Sequence, residues 1–378
     1  MLAEIFTSAA LEPPVGIHRC CVRIGKVSIG LSASSAEDIL LDREMDGFRT
    51  GPTDCDIEVS VAWVEHLRKP RGRKLFDSGS IWTLFEEPDG SVFDFATPVL
   101  GCQPYKRLWV DPEFSSARLH LNRECFPEGT RVCPLEYPLD ELLVSSWLAT
   151  AEGRGVEVHG CGLVDSETGG HLFLGHSGAG KSTTTQLWKS LRQVRVLSDD
   201  RVILHEQANE VRMYGTPWHG EAGFASPEQA NIKRIFVLEH GDKNDILPLP
   251  QAQAVAELFA RCFPPFYSHG ALDYTLSFLH HITDLVPCYL YRFVPEDSSV
   301  EKIRFQWAKI GHIRSSLASS SGLCFPGDSA SGFKPTAEAC NRRSRMEKSS
   351  TSSRSRPRTC EEEISSCLPI GRTTRPIA

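Results

Sequence analysis

The run His171-Leu-Phe-Leu-Gly175-His-Ser177-Gly178-Ala179-Gly180-Lys181-Ser182-Thr183 sets Gly-x-x-x-x-Gly-Lys-Ser at the end of a short apolar stretch. Glycines at these positions let the backbone curl until successive N–H groups converge, at the positive end of a helix that begins near Lys181. That arrangement holds phosphate. Lys181 is placed to reach the terminal phosphates, and the Ser182 hydroxyl is an oxygen ligand for Mg²⁺, a hard cation that keeps most of its waters. Gly175, Ser177, Gly178, Ala179, Gly180, Lys181, Ser182 and Thr183 are the expected cradle, and its ligand is a nucleoside triphosphate with Mg²⁺.

A second group follows one short helix later. Val194 to Val196 is β-branched and runs into Leu197-Ser198-Asp199-Asp200. Carboxylates at a strand end are usually a solvated turn; beside a phosphate loop they are where a metal ligand and a base belong. Upstream, Val156-Glu157-Val158-His159-Gly160 alternates like a strand and leads through the turn Glu167-Thr-Gly-Gly170 into the loop strand. His159 taken alone reads as a structural histidine.

Taken together, His-Gly, then Gly-x-Ser-Gly-x-Gly-Lys-Ser, then Ser-Asp-Asp resembles the catalytic core of HPr kinase/phosphorylase, whose phosphate-loop domain is similar to that of phosphoenolpyruvate carboxykinase. The run Tyr137-Pro-Leu-Asp-Glu-Leu-Leu, the extension Asp199-Asp-Arg201 and Tyr214-Gly-Thr-Pro-Trp-His-Gly220 look more closely like the HPr-kinase-like proteins of peptide-modification gene clusters, lasso-peptide kinases included. The resemblance covers roughly residues 137–305. It implies Lys181 and the loop amides on phosphates, Ser182 on Mg²⁺, Asp199 as the base, His159 hydrogen-bonded near Asp199, and Asp200 at the metal or its waters. The segment that true HPr kinases carry after the core is not found, so the resemblance implies neither HPr as acceptor nor phosphorolysis.

The elements that must position these groups are legible as patterns. Lys181 to Leu191 reads as a helix with Leu187, Trp188 and Leu191 on one side, and Leu139 to Thr150 as another. Strands are expected at Arg201–His205, Val211–Tyr214, Ile232–Glu239 and Cys288–Phe293, with helices near Gln251–Cys262 and Leu272–Leu285 between the last two. The loop Gly215-Thr-Pro-Trp-His-Gly-Glu221 is either structural punctuation or a substrate-side element. His205 and His280-His281 read as structural.

Toward the N-terminus, Val22–Ile29, Ile57–Val64, Ser80–Glu86, Leu108–Val110 and Ala117–Asn122 are β-rich and separated by turn signals, which predicts an antiparallel β-rich domain over 1–136. It binds substrate or covers one face of the core. The core is expected over 137–314. From 315 to 378, Ser, Thr, Arg and Gly dominate with almost nothing to bury, so this tail is expected to be disordered. Its basic Ser/Arg tract is weak evidence for RNA binding without an accompanying nucleic-acid fold.

A net charge of −7 gives no global attraction to nucleic acid or an anionic membrane. No run of 18 apolar residues occurs and Met1 to Cys21 lacks signal-peptide character, so the expected location is cytoplasmic, away from membranes. Thirteen cysteines, an odd number without a Cys-x-x-Cys pair, fit reduced, buried thiols. The fold expected is α/β, a mixed-sheet phosphate-loop kinase core of the HPr kinase/phosphoenolpyruvate carboxykinase type with the β-rich domain before it. The expected activity is transfer of the γ-phosphoryl group of ATP to a hydroxyl, the serine of a protein or peptide. Alternatives are a nucleotide-binding regulator that transfers nothing and a kinase of a small-molecule hydroxyl. A motor or signalling NTPase lacks support, since neither Leu-Ser-Gly-Gly-Gln nor an ordered Asn-Lys-x-Asp is present.

Overall fold

Along Ile57–Val64, Ile57, Val59 and Val61 are buried while Ser60 and Ala62 are exposed, the period of two that a half-buried strand requires. The same logic builds a nine-stranded sheet from the N-terminal half. The structure, a computed structural model, describes residues 16–307 except Ser80, Cys102 and Ala151; the expected tail, 315–378, lies outside the described residues, as do 1–15. The described residues belong to one compact unit.

The stretch Val22–Ile29 is not one strand. It divides at Gly25, whose φ of +64° is left-handed, into the hairpin β1 (His18–Ile24) and β2 (Val27–Ala33). There follow β3 (Arg49–Thr50), β4 (Ile57–Val64), β5 (Arg73–Asp77), β6 (Trp82–Glu87), β7 (Gly90–Phe95), β8 (Lys106–Val110) and β9 (Ser116–Asn122), ordered β3-β1-β2-β4-β9-β8-β7-β6-β5. The sheet is mixed rather than antiparallel, because β4 pairs parallel with both β2 and β9. Parallel neighbours need long crossovers, and the chain supplies them through residues 34–56 and 65–115.

The remainder holds α1 (Leu139–Leu148), β10 (Gly155–Asp165), β11 (Gly169–Leu174), α2 (Lys181–Lys189), β12 (Val194–Ser198), β13 (Arg201–Gln207), β14 (Glu210–Gly215), β15 (Gln229–His240), β16 (Asp245–Pro248), α3 (Gln251–Phe259), α4 (His269–Leu285) and β17 (Cys288–Phe293). Residues 297–307 are again helical. The two longest strands are shared between neighbours: β10 pairs β13 through His159 and then β11 from Gly160, while β15 passes from β14 to β11 and β17. Pairing is mixed, with β11–β15 and β15–β17 parallel. Among the described residues no helix is long and apolar enough to cross a membrane.

Helix α1 joins the two halves. Leu139, Leu143, Val144 and Leu148 share one apolar cluster with the N-terminal sheet and with Ile203, Tyr214 and Trp218. Its first turn also brings charge inside. Asp140 is fully buried, accepting a 2.6 Å hydrogen bond from Trp218 Nε1, and burial pushes its pKa up to about 7 despite that bond and the Lys106 and Arg201 cations nearby. Lys106, on β8, is itself fully buried and reaches Glu136 Oε1 at 3.3 Å. On the far side of the core, Arg304 in the 297–307 helix pairs at 2.6 Å with the buried Asp165 at the end of β10. Trp307 packs there against Phe236 and Tyr289.

The Asp140 shift carries a sign. The folded-state pKa of about 7 lies above the ordinary 3.8, so the native state holds this proton more tightly, and the associated stability is full below about pH 4 and lost as pH rises through 7. Asp140→Asn removes that dependence while keeping an acceptor for Trp218. The melting temperature of Asp140→Asn relative to the parent is therefore expected to be more favourable at pH 8 than at pH 5, measured by differential scanning calorimetry; the opposite trend would contradict a carboxyl destabilised by burial.

Candidate active site

The loop strand β11 ends at Leu174, and the chain from Gly175 to Gly180 turns back into α2. Two glycines are needed for that turn, Gly178 at φ +79° and Gly180 at φ +97°. Gly180 has a further reason: a Cβ there would lie 2.4 Å from Cζ of Phe293, so the loop rests against the end of β17. At Gly175 a Cβ would approach that of Ala179 to 2.6 Å, which keeps the two ends of the loop close. His240 Nε2 lies 2.9 Å from the Gly178 carbonyl and its ring stacks on Phe293.

Lys181 is buried and its Nζ donates to the carbonyls of Gly175 at 2.9 Å and His176 at 3.3 Å, drawn back over its own loop. Burial lowers its pKa, and the nearby Asp200 charge opposes that shift. Ser177 and Gly178 are exposed, Ala179 is buried, Ser182 is half-buried and Thr183 is exposed on the first turn of α2. The first amides of that helix have no partner within it, so they are free for an anion. Below, Thr185 Oγ1 donates to the Lys181 carbonyl and contacts the buried Cys161 sulfur on β10 at 2.9 Å, fixing the helix to the sheet.

Strand pairing explains why the other groups arrive here. Gly160 faces Leu174, the residue before the loop, and His159 faces Arg201, the residue after the aspartate pair. The amide of Gly160 donates to the Asp200 carbonyl at 2.8 Å, and a Cβ on Gly160 would meet Leu172, Leu174 and the Phe173 carbonyl at 3.0 Å. Ser198 shapes the aspartate turn: its hydroxyl accepts from the amides of Asp200 and Arg201 and donates to the Trp218 carbonyl, using its full capacity.

The two aspartates differ sharply. Asp199 is 2 % exposed and its carboxylate accepts three backbone hydrogen bonds, from Gly220 at 3.1 Å, Ala222 at 2.9 Å and Phe224 at 3.1 Å. Asp200 keeps a quarter of its side chain exposed, and His159 Nδ1 lies 3.2 Å from its Oδ1. The expected contact of His159 with Asp199 is therefore corrected: the histidine partners Asp200, because Asp199 is turned into the Gly220–Phe224 segment. Trp218 in the preceding loop is buried and bound to Asp140, and His219 Nε2 reaches Glu44 Oε1 at 3.2 Å, so that loop is tied to the N-terminal half.

Two further cations stand at the site, Arg201 beside Asp200 and Arg261 near Lys181. Arg201 lies 3.4 Å from Asp200 Oδ2, pairs with Glu141 of α1, and sits 3.8 Å from the fully buried Glu157, whose pKa burial pushes well up. The Phe263 and Tyr137 rings flank its guanidinium. Arg261 lies close enough to lower the pKa of Lys181, and its carbonyl accepts from the His159 amide at 2.7 Å. The Asp-Asp-Arg spelling was a signal for Arg201; nothing local in sequence signalled Arg261.

Among the described residues no cluster of three or more His, Cys, Asp or Glu is arranged to hold a metal by itself. A hydroxyl such as Ser182 beside free helix amides suits a cation that brings its own phosphate and water oxygens. The eight described cysteines are free thiols. No protein-family model matches the chain, and a search of curated proteins returns no match.

The loop glycines separate two effects. Gly178→Ala meets no neighbour within 4 Å and is expected to cost only the left-handed strain of about 1–2 kcal/mol. Gly180→Ala adds the collision with Phe293 and is expected to lower the melting temperature clearly more. Equal losses in thermal melts would mean that the loop does not rest on Phe293.

Proposed function

We propose that the chain is an ATP-dependent kinase that transfers the γ-phosphoryl group to a hydroxyl, the serine of a protein or peptide, on a phosphate-loop core similar to that of HPr kinase. The observation that carries this reading is the convergence of the Lys181 loop with a partly exposed Asp200–His159 pair. A protein that only bound nucleotide would need the loop but not the pair. The mixed sheet, with β11 and β15 parallel behind the loop, supports the same reading.

Phosphoryl transfer needs positioning and charge neutralisation more than covalent help from the protein. In this reading the loop amides from Ser177 to Thr183 hold the β- and γ-phosphates, and Lys181 exchanges its carbonyl partners for phosphate oxygens. Ser182 would hold Mg²⁺, which supplies neutralisation of phosphate charge when bound. The expected base shifts by one residue from the sequence-based assignment. Asp199 spends its carboxylate on three amides, whereas Asp200 has room for an acceptor hydroxyl. Asp200 takes the hydroxyl proton as the acceptor oxygen bonds to the γ-phosphorus and the bond from γ-phosphorus to the bridging oxygen breaks, releasing ADP. His159 and Arg201 hold the Asp200 carboxylate in place. The Asp199 bonds keep the Gly220–Phe224 segment closed over the strand end.

Labelled ATP with Mg²⁺, offered with serine-bearing peptides, proteins and small alcohols, tests the reading when transferred label and free phosphate are both followed. Asp200→Asn is expected to reduce transfer by about 10²–10⁴-fold while leaving Mg·ATP affinity within a few fold and the melting temperature unchanged. Asp199→Ala is expected to lower the melting temperature, because three half-buried amides lose their shared acceptor and the Gly220–Phe224 segment loses its tie to the strand end. Full transfer by Asp200→Asn, with Asp199→Asn stable but dead, would return the base to Asp199. Transfer to small alcohols alone would favour a small-molecule kinase.

A further inference from the structure

Beside the N-terminal sheet lies a cleft of about 430 Å³, within the range of small-ligand and peptide side-chain sites. Its apolar floor and wall come from Tyr105, Phe126, Val132 and Val99, the last 89 % exposed. Asp42 and Glu136 bring carboxylates to it. The cation paired with Glu136, Lys106, is fully buried behind the wall, and Cys133 Sγ donates to Asp42 Oδ1 at 3.3 Å; the exposed Arg131 also lines the cleft, 3.8 Å from Glu37, so the two carboxylates outnumber one guanidinium around the apolar depression.

Two short covalent paths run from this cleft to the candidate active site. Glu136 is followed five residues later by Glu141, the partner of Arg201, which lies beside Asp200. Five residues span at most about 18 Å. On the other side, Asp42 is followed two residues later by Glu44, which meets His219, the neighbour of Gly220 on the segment that caps Asp199. An exposed valine in the turn after β7 is ordinary by itself; with carboxylates and the site within one short peptide's reach, it becomes an anchor point.

Resting on the kinase reading above, we propose that this cleft holds the acceptor: an extended peptide that seats an aliphatic or aromatic side chain against Tyr105, Phe126 and Val99, with a lysine or arginine against Asp42 and Glu136. At about 3.3 Å per extended residue, the anchor falls about five to eight residues from the serine that receives the phosphoryl group. The anchor gives specificity at a distance, and binding energy gained there orients the hydroxyl at Asp200.

The test uses the full chain and fluorescein-labelled peptides carrying one serine, a glycine spacer of one to ten residues and Leu-Lys-Lys, in both chain directions. Anisotropy is read without nucleotide, and label transfer is read separately with Mg·ATP. Binding is expected to need the leucine and to weaken tenfold or more with Val99→Asp and with Asp42→Lys, both exposed positions, while melting temperature and Mg·ATP affinity stay unchanged. Transfer is expected to peak at spacers of about five to eight residues. Binding that is indifferent to Val99→Asp and Asp42→Lys overturns the cleft, as does transfer that ignores spacer length. Leucine-dependent binding that the two variants abolish, without transfer to any spacer, supports the cleft and contradicts the kinase reading alone. A photo-crosslinking phenylalanine analogue at position 99 that captures only a second copy or the chain's own residues 308–378 also overturns it.

Discussion

The constraint on which the site depends is the change of partner in the middle of β10. At His159 this strand faces β13, and at Gly160 it faces the last residue of β11. A single pair of adjacent residues thereby joins the end of the strand before the Gly175–Gly180 loop to the start of the strand after the aspartates. A side chain at Gly160 would crowd Leu172, Leu174 and the Phe173 carbonyl, each 3.0 Å from an added Cβ, so glycine suits the crossover. The loop and the Asp200–His159 pair are held together by backbone ladder bonds rather than by side-chain contacts, which fixes their separation through the fold itself.

Around that junction the chain carries more buried charge than stability alone favours. Arg201, Glu141, Glu157 and Asp140 are all largely desolvated, and buried ion pairs often cost as much as they return. The network lies where α1 joins the N-terminal sheet to the strand end, so it couples the two halves of the molecule to the orientation of Asp200. Asp140 bound to Trp218, and Glu44 bound to His219, repeat the pattern on the loop that caps Asp199. The N-terminal sheet is thus wired to the site from two sides, beyond covering a face of the core.

Much of this was legible in sequence. The loop glycines, the helix after Lys181, the strands from Arg201 to Tyr214 and the strand Cys288–Phe293 follow from local pattern, because φ preference and periodicity act within a few residues. What was not legible is decided by distant partners. Val22–Ile29 alternates like one strand, yet Gly25 turns it into a hairpin; the β4 pairings are parallel because of where the chain returns. The roles of the two adjacent aspartates look alike in sequence and separate only because the amides of Gly220, Ala222 and Phe224 fall on one of them. Arg261 reaches the site from after α3 with no motif to announce it.

The proposed reaction requires that the Gly175–Thr183 loop bind the triphosphate and aim its γ-phosphate at Asp200. A crystal structure with Mg²⁺ and a non-hydrolysable ATP analogue tests it most directly. The expected result is phosphates on the loop amides, Lys181 Nζ moved from the Gly175 and His176 carbonyls onto phosphate oxygen, and Asp200 rather than Asp199 facing the γ-phosphate across the space for a hydroxyl. Nucleotide bound away from the loop, or a γ-phosphate turned from Asp200 with Asp199 freed from its three amides, would contradict it.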